Sequence, residues 1–174
     1  MQVALIGLPG SGKSTVGRQL ARRLQLPYWD SDHVIEDRLG CSVREYFERE
    51  GEQRFRDIES QVIDELTLLG EGVLSTGGGA VLRPENREFL HQRSRVVYLN
   101  STPDDLMRRL RHDRNRPLLQ VADPLVRLRE LYTQRDPLYR ETAHVVVDTG
   151  RPSVSSLVQA ILGHLELKLD SPAP

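Results

Sequence analysis

Val3-Ala4-Leu5-Ile6-Gly7-Leu8-Pro9-Gly10-Ser11-Gly12-Lys13-Ser14-Thr15 joins three signals that belong together. Val3 to Ile6 is a short apolar run that stops at a glycine, the pattern of a buried strand. Gly7 to Ser14 then fits G-x-x-x-x-G-K-[ST]. From Lys13 to about Leu24, apolar Val16, Leu20, Ala21 and Leu24 recur at helical spacing. Glycines let the backbone wrap a phosphate with its amide N–H groups converging on the oxygens. The helix that follows presents its positive end to the same anion. Lys13 has the length to reach β- and γ-phosphates, the Ser14 hydroxyl suits Mg²⁺, and Gly10, Ser11, Gly12 and Thr15 complete the cradle. The plainer reading is a glycine-rich turn closing a strand–helix unit, but it does not account for the lysine. Of the chain's 24 basic side chains, only Lys13 and Lys168 are lysines. An otherwise arginine-using chain places a compact ammonium here, where a planar guanidinium would not substitute.

Beyond this unit, strand-like and helix-like segments alternate. The expectation is an α/β fold of three layers, α/β/α, around a five-stranded parallel sheet. Further strands are read at Tyr28-Trp29-Asp30, Val73-Leu74-Ser75, Val96 to Leu99 and Val145 to Val147. Helices are read from Ser31 or Asp32 as cap to Leu39, from Ser42 through Phe47 on a capping-box pattern with Glu45, and from Glu52 to Leu69. Pro84 and the pair Thr102-Pro103 open two more, and Ser153 to Leu169 is the last. Arg111 to Pro117 is too polar for a core and reads as a mobile loop. One domain over 1–169 is expected, with a frayed tail at 170–174.

Composition narrows the function classes. The 174 residues carry 24 basic and 25 acidic side chains, for a formal charge of −1, which does not suit a nucleic-acid binder. No apolar run approaches the roughly 20 residues of a membrane span, and the first residues lack the form of a secretory signal. A single cysteine, Cys41, and the absence of Cys/His ligand spacing exclude an internal disulfide and a zinc site. His33, His91, His112, His144 and His164 read as structural or exposed. A reducing, cytoplasmic setting fits best.

A phosphate loop alone leaves GTPases, motor ATPases and small-molecule kinases open. Neither lysine lies in a guanine-reading Asn-Lys-x-Asp, and no apolar strand ends in Asp-Glu. Val145-Val146-Val147-Asp148 comes nearest, and Asp148 reads as a strand-end turn residue. Asp30-Ser31-Asp32 and Gly77-Gly78-Gly79 follow the second and third strands, where ligands collect outside the carboxyl ends of parallel strands. Arg56 and Arg135 add cations from distant parts of the chain.

Taken in order, these motifs closely resemble the shikimate kinase family, of the nucleoside-monophosphate-kinase-like branch of P-loop NTPases. The resemblance runs from Val3 to about Leu165. It rests on the phosphate loop, Asp30-Ser31-Asp32, Gly51-Glu52-Gln53-Arg54-Phe55-Arg56, Gly77-Gly78-Gly79-Ala80, Arg116-Pro117-Leu118 and Arg135-Asp136-Pro137-Leu138-Tyr139. It implies transfer of the γ-phosphate of ATP to the 3-hydroxyl of shikimate, with Mg²⁺, on the route to chorismate and the aromatic amino acids. It further implies that Arg56 and Arg135 take the substrate carboxylate, since guanidinium forks suit carboxylates bidentately. Asp32 would meet the ring hydroxyls and act as base, Gly78 would offer its backbone N–H, and Asp30 would hold Mg²⁺ beside Ser14. Arg116 would come from a lid at about 111–123 that closes over ATP. Arg109 and Arg151 would lie on the nucleotide side.

Each of these residues also has a plainer reading. Asp32 can cap a helix, Arg56 can be a solvated helix charge, and the triple glycine can be a helix approach. Arg135 before Asp-Pro can be a turn residue, Arg109 and Arg151 can be surface arginines, and Trp29 reads as core packing. Two other functions compete with the main one: a gluconate-type kinase on the same scaffold, and a nucleotide-binding domain without catalysis. The reading adopted is a monomeric kinase whose partners are small molecules, ATP and shikimate, with no nucleic acid and no membrane.

Overall fold

Side chains along β1 (Gln2–Ile6) alternate between two packed layers. Val3 and Leu5 face one, Ala4 and Ile6 the other, and all four are fully buried. A strand buried on both faces must lie inside a sheet covered twice, which is the parallel α/β arrangement. The computed structural model describes residues 1–110, 122–150 and 153–169. Its elements run β1, α1 (Lys13–Leu24), β2 (Tyr28–Asp30), α2 (Ser31–Leu39), α3 (Val43–Glu50), α4 (Glu52–Thr67) and β3 (Gly72–Ser75). After a 3₁₀ turn at Ala80–Leu82 come α5 (Pro84–Arg93), β4 (Arg95–Asn100), α6 (Pro103–Leu110), α7 (Pro124–Thr142), β5 (Val145–Asp148) and α8 (Val154–Leu169).

The described strands form one five-stranded parallel sheet in the order β2-β3-β1-β4-β5. Connections leave β1 toward β2 on one side and return to β4 on the other. The crevice where direction reverses therefore lies beyond the carboxyl end of β1, where the phosphate loop begins. On one face, Val16, Leu20 and Ala21 of α1 and Leu157, Val158 and Ile161 of α8 pack on Val3, Leu5, Val97 and Leu99. On the other, α2, α4, α5, α6 and α7 cover Ala4, Ile6, Leu74, Val96 and Tyr98. Trp29 belongs to this second layer, its ring lying where a side chain on Gly72 would stand.

Most element boundaries match the sequence to within a few residues. Ser42 Oγ accepts from Glu45 N at 3.1 Å, and Thr102 Oγ1 from Asp105 N at 3.1 Å, as the capping patterns predict. Two features differ. The cap of α2 is Asp30, neither Ser31 nor Asp32: its Oδ1 accepts from Asp32 N at 3.0 Å and His33 N at 3.3 Å. A 19-residue helix, α7, spans a stretch left unassigned, so Arg135 is no turn residue. Asp123 caps α7 through Val126 N at 3.2 Å, with Pro124 in its first turn. Of the segment read as a lid, residues 111–121 lie outside the described residues, with Arg116. So do Arg151 and the 170–174 tail.

Candidate active site

The phosphate loop turns on glycines where only glycine is unstrained: Gly10 has φ +86° and Gly12, the N-cap of α1, has φ +93°. The loop folds back over Lys13, whose Nζ donates to Gly7 O at 2.7 Å and Leu8 O at 3.0 Å. Ser75 Oγ donates to Lys13 O at 2.9 Å and Thr76 Oγ1 to Leu5 O at 2.9 Å, tying the loop to the end of β3.

In front of it lies a cavity of about 270 Å³ lined by Gly10, Gly12, Lys13, Ser14, Thr15, Asp30, Asp32 and Gly78, together with Pro9, Thr76 and Gly77. Eight residues singled out in the sequence thus meet at one place. Ser14 Oγ donates to Asp30 Oδ2 at 3.0 Å. Asp30 therefore spends one oxygen on the N-terminus of α2 and turns the other toward the loop. A hydroxyl and a carboxylate oxygen side by side at a phosphate cradle form a hard-donor set that fits Mg²⁺, which takes one or two protein oxygens plus phosphate and water.

Burial, then the neighbouring Glu59 and Asp30 carboxylates, push the Asp32 carboxyl up to about 6, with Lys13 pulling the other way. A carboxylate so poised is a proton acceptor matched to near-neutral pH. The three glycines after β3 make the room. A Cβ on Gly77 would lie 2.6 Å from Asp32 Oδ1, one on Gly78 2.7 Å from Pro9 Cδ, and one on Gly79 2.6 Å from Arg56 Cζ.

Arg56, on α4, is buried, and its Nη1 meets Glu59 Oε1 at 2.8 Å. Glu59 is 1% exposed, and its Oε2 has no hydrogen-bond partner among the described residues, nor has Arg56 Nε. Buried polar atoms are almost always paired, and Arg56 Nε has only the distant Glu52 Oε1, at 3.5 Å, so the Arg56–Glu59 pair keeps polar capacity for a ligand. Burial pushes the Glu59 carboxyl up, opposed first by Arg56 and also by Arg135. Arg135 comes from α7: its Nη1 is 3.4 Å from where a Gly78 side chain would begin. One turn on, Tyr139 feels the Arg135 charge and donates its own hydroxyl to Gly78 O at 2.5 Å. Burial pushes the Tyr139 phenol up to about 12, so it stays a donor.

A second cavity of about 290 Å³ lies on the other side of the loop, between Gly10–Gly12 and Thr149, Val154 and Leu157. Ser11, Thr15 and Arg109 line it. Arg109 Nη1 donates to Ser11 O at 3.3 Å and its Nη2 to Thr149 O at 3.0 Å, so it is not a loose surface charge. Asp148 accepts from Asn100 Nδ2 at 3.0 Å at the strand ends, in keeping with a strand-end role.

Sequence reasoning missed Glu59, and gave Pro9 and Tyr139 no role beyond membership of their motifs. Glu59 had a readable signal: it stands on the stripe of Phe55, Val62, Ile63 and Leu66, an acid on an apolar helix face, three residues from Arg56. Tyr139 stands four residues after Arg135, hence on the same face of a helix.

Comparison with known proteins accords with this geometry. The family profile of shikimate kinase matches residues 9–166. A shikimate kinase of Paracidovorax citrulli is 59% identical over 170 residues, covering 96% of this chain and 93% of its own. One of Ralstonia nicotianae is 58% identical over 165 residues, covering 95% and 87%. Among solved structures, the shikimate kinase from Acinetobacter baumannii in complex with shikimate has a TM-score of 0.91 at 46% identity, covering 98% of this chain and 95% of that one. The enzyme from Aquifex aeolicus has a TM-score of 0.86 at 32% identity, covering 99% and 100%. With the family profile matched over residues 9–166 and relatives matched over nearly its whole length, the chain belongs to the shikimate kinase family.

Proposed function

We propose that this protein performs its family's reaction, transfer of the γ-phosphoryl group of ATP to the 3-hydroxyl of shikimate, with the roles below. The loop amides of Gly10 to Thr15 and Lys13 hold the β- and γ-phosphates. Arg109 borders the purine side. Arg56 and Arg135 clamp the carboxylate of shikimate, with Glu59 aiming Arg56 and Tyr139 steadying Arg135. Gly78 offers its N–H to the substrate. Asp32 accepts a hydrogen bond from the 3-hydroxyl and takes its proton as that oxygen bonds to phosphorus. The released ADP keeps the electrons of the broken P–O bond. Ser14 and Asp30 would hold Mg²⁺, which neutralises phosphate charge. Arg116 and Arg151, outside the described residues, are assigned to the closing lid and to the nucleotide side. On the same footing the protein is taken to be a cytoplasmic monomer, since one chain supplies every group named.

The observation that carries this reading is the convergence of Arg56 and Arg135 from separate helices on two successive residues, Gly79 and Gly78. A planar carboxylate beside the phosphate site is the ligand such a pair recognises, and a neutral polyol would leave Arg135 without the anion that the pair shares. The test is ADP release from ATP·Mg²⁺ with shikimate, quinate or gluconate as acceptor. Release that requires shikimate is expected. Release with no acceptor would make the protein an ATPase, and a preference for gluconate, an open-chain carboxylate, would keep the arginine clamp but overturn shikimate as the acceptor.

A further inference from the structure

Pro137 sits inside α7, two residues after Arg135. It removes one intrahelical hydrogen bond and crowds the carbonyl of Thr133, one turn back. The helix is thus weakest where it must aim a long arginine with accuracy. Successive helix residues are turned by about 100°, so a small roll of α7 swings Arg135 away from Gly78. Something outside the helix must fix that roll.

Asp136 is placed to do so. Its Oδ1 accepts the Tyr98 hydroxyl at 2.8 Å, and Arg140 Nε grips both carboxylate oxygens at 3.1 and 3.0 Å. Tyr98 is 1% exposed and pairs in register with Ile6, at the entrance to the phosphate loop. Its hydroxyl also lies 3.2 Å from Asn100 Oδ1, but it has one proton, and the charged carboxylate is the stronger and nearer acceptor. Tyr132 OH supplies Asn100 Oδ1 instead, at 3.0 Å. Tyr132, Asp136 and Arg140 form one stripe of α7, and Arg135 with Tyr139 form the adjacent one. The Tyr98 and Tyr139 rings meet at a centroid distance of 4.9 Å, closing the link from sheet to helix.

We propose that Asp136, held by the Tyr98 hydroxyl, is a positioning residue for the acidic substrate: it locks the rotation of α7 and so sets the reach of Arg135 over Gly78. This deepens the reading of Arg135 as a carboxylate contact and rests on it. Neither Asp136 nor Tyr98 touches the substrate. Their effect passes through Arg135 alone, and the nucleotide side should not feel it.

The experiment is steady-state kinetics of Tyr98→Phe, Asp136→Ala, the double variant, Asp136→Asn and Arg135→Ala, each with its urea midpoint recorded. Tyr98→Phe and Asp136→Ala should each raise the KM for shikimate about tenfold, with kcat and the KM for ATP held within about twofold. The double variant should be no worse than Asp136→Ala, since both remove one contact. Asp136→Asn, which can still accept from Tyr98, should recover most of the loss. The proposal is overturned if Tyr98→Phe leaves the shikimate KM at the wild-type value while Arg135→Ala raises it. Equal losses for shikimate and ATP, or multiplying effects in the double variant, overturn it as well. If Arg135→Ala itself leaves the shikimate KM unchanged, the carboxylate reading falls and takes this one with it.

Discussion

An aspartate carboxyl ordinarily ionises near 3.8, and the site pushes that of Asp32 up to about 6. The folded protein therefore binds a proton there that the unfolded chain has already released between those two values. Stability must fall as pH rises through that window, and the loss is complete above about 6. At about 1.4 kcal/mol per pH unit, an ionised Asp32 costs the free protein about 3 kcal/mol at pH 8. Asp32→Asn should then be more stable than wild type at pH 8, by up to that amount, and equal to it near pH 4. Urea unfolding of the ligand-free proteins at the two pH values checks this. An Asn variant no more stable at pH 8 would mean that the site does not strain its carboxylate. Activity should move the other way. With Asp32 as the proposed base, the wild-type kcat/KM for shikimate should fall about tenfold per pH unit below about 6, where Asp32 becomes protonated. The same burial that makes Asp32 a proton acceptor near neutral pH makes it a liability to the fold.

At the scale of elements, the turn after β3 is shaped by what it leaves out. Gly79 has φ −95° and ψ 7°, a conformation open to alanine, so its glycine is needed for space alone. A methyl there would stand 2.6 Å from Arg56 Cζ and drive the guanidinium off its line. Gly79→Ala should raise the KM for shikimate at least about tenfold and leave the KM for ATP unchanged. A wild-type shikimate KM would show that Arg56 has no fixed place. This turn was legible in the sequence because three glycines after a strand announce a close approach. The phosphate loop was legible too, since loop and helix signals coincide within one short stretch. The α7 helix was not. Asp136-Pro137 carries the signature of a turn, and contacts that hold a helix through it come from far in sequence, as from Tyr98, 38 residues away, and from Gly78. Glu59 was legible as an acid on the apolar stripe of α4, but its pairing with Arg56 shows only in the folded helix. The cap of α2 was misplaced by one or two residues, and the difference is functional. With Asp30 as the cap, a single carboxylate binds both the helix end and Ser14, while Asp32 faces the cavity.

Across the whole molecule, the sheet divides two packed layers with different duties. The layer of α2, α4 and α7 carries the residues assigned to shikimate, whereas α1 and α8 back the other face of the sheet. Ile161 is fully buried in the layer of α1 and α8, one turn beyond Leu157, which lines the cavity on the far side of the phosphate loop. Ile161→Ala should cost about 2–5 kcal/mol of stability through the cavity it leaves. The proposed shikimate site lies across the sheet, and Ile161 belongs to the other core cluster, so the two effects should add. Shikimate at a hundred times its Kd raises the stability of any chain with an intact site by about 2.7 kcal/mol. Wild type and Ile161→Ala should therefore gain that same increment in urea unfolding, and kcat under native conditions should match. A markedly smaller gain in the variant would mean that α8 and the shikimate layer share one cooperative adjustment through the sheet. An equal gain would show that this fold isolates its carboxylate site from defects behind the sheet.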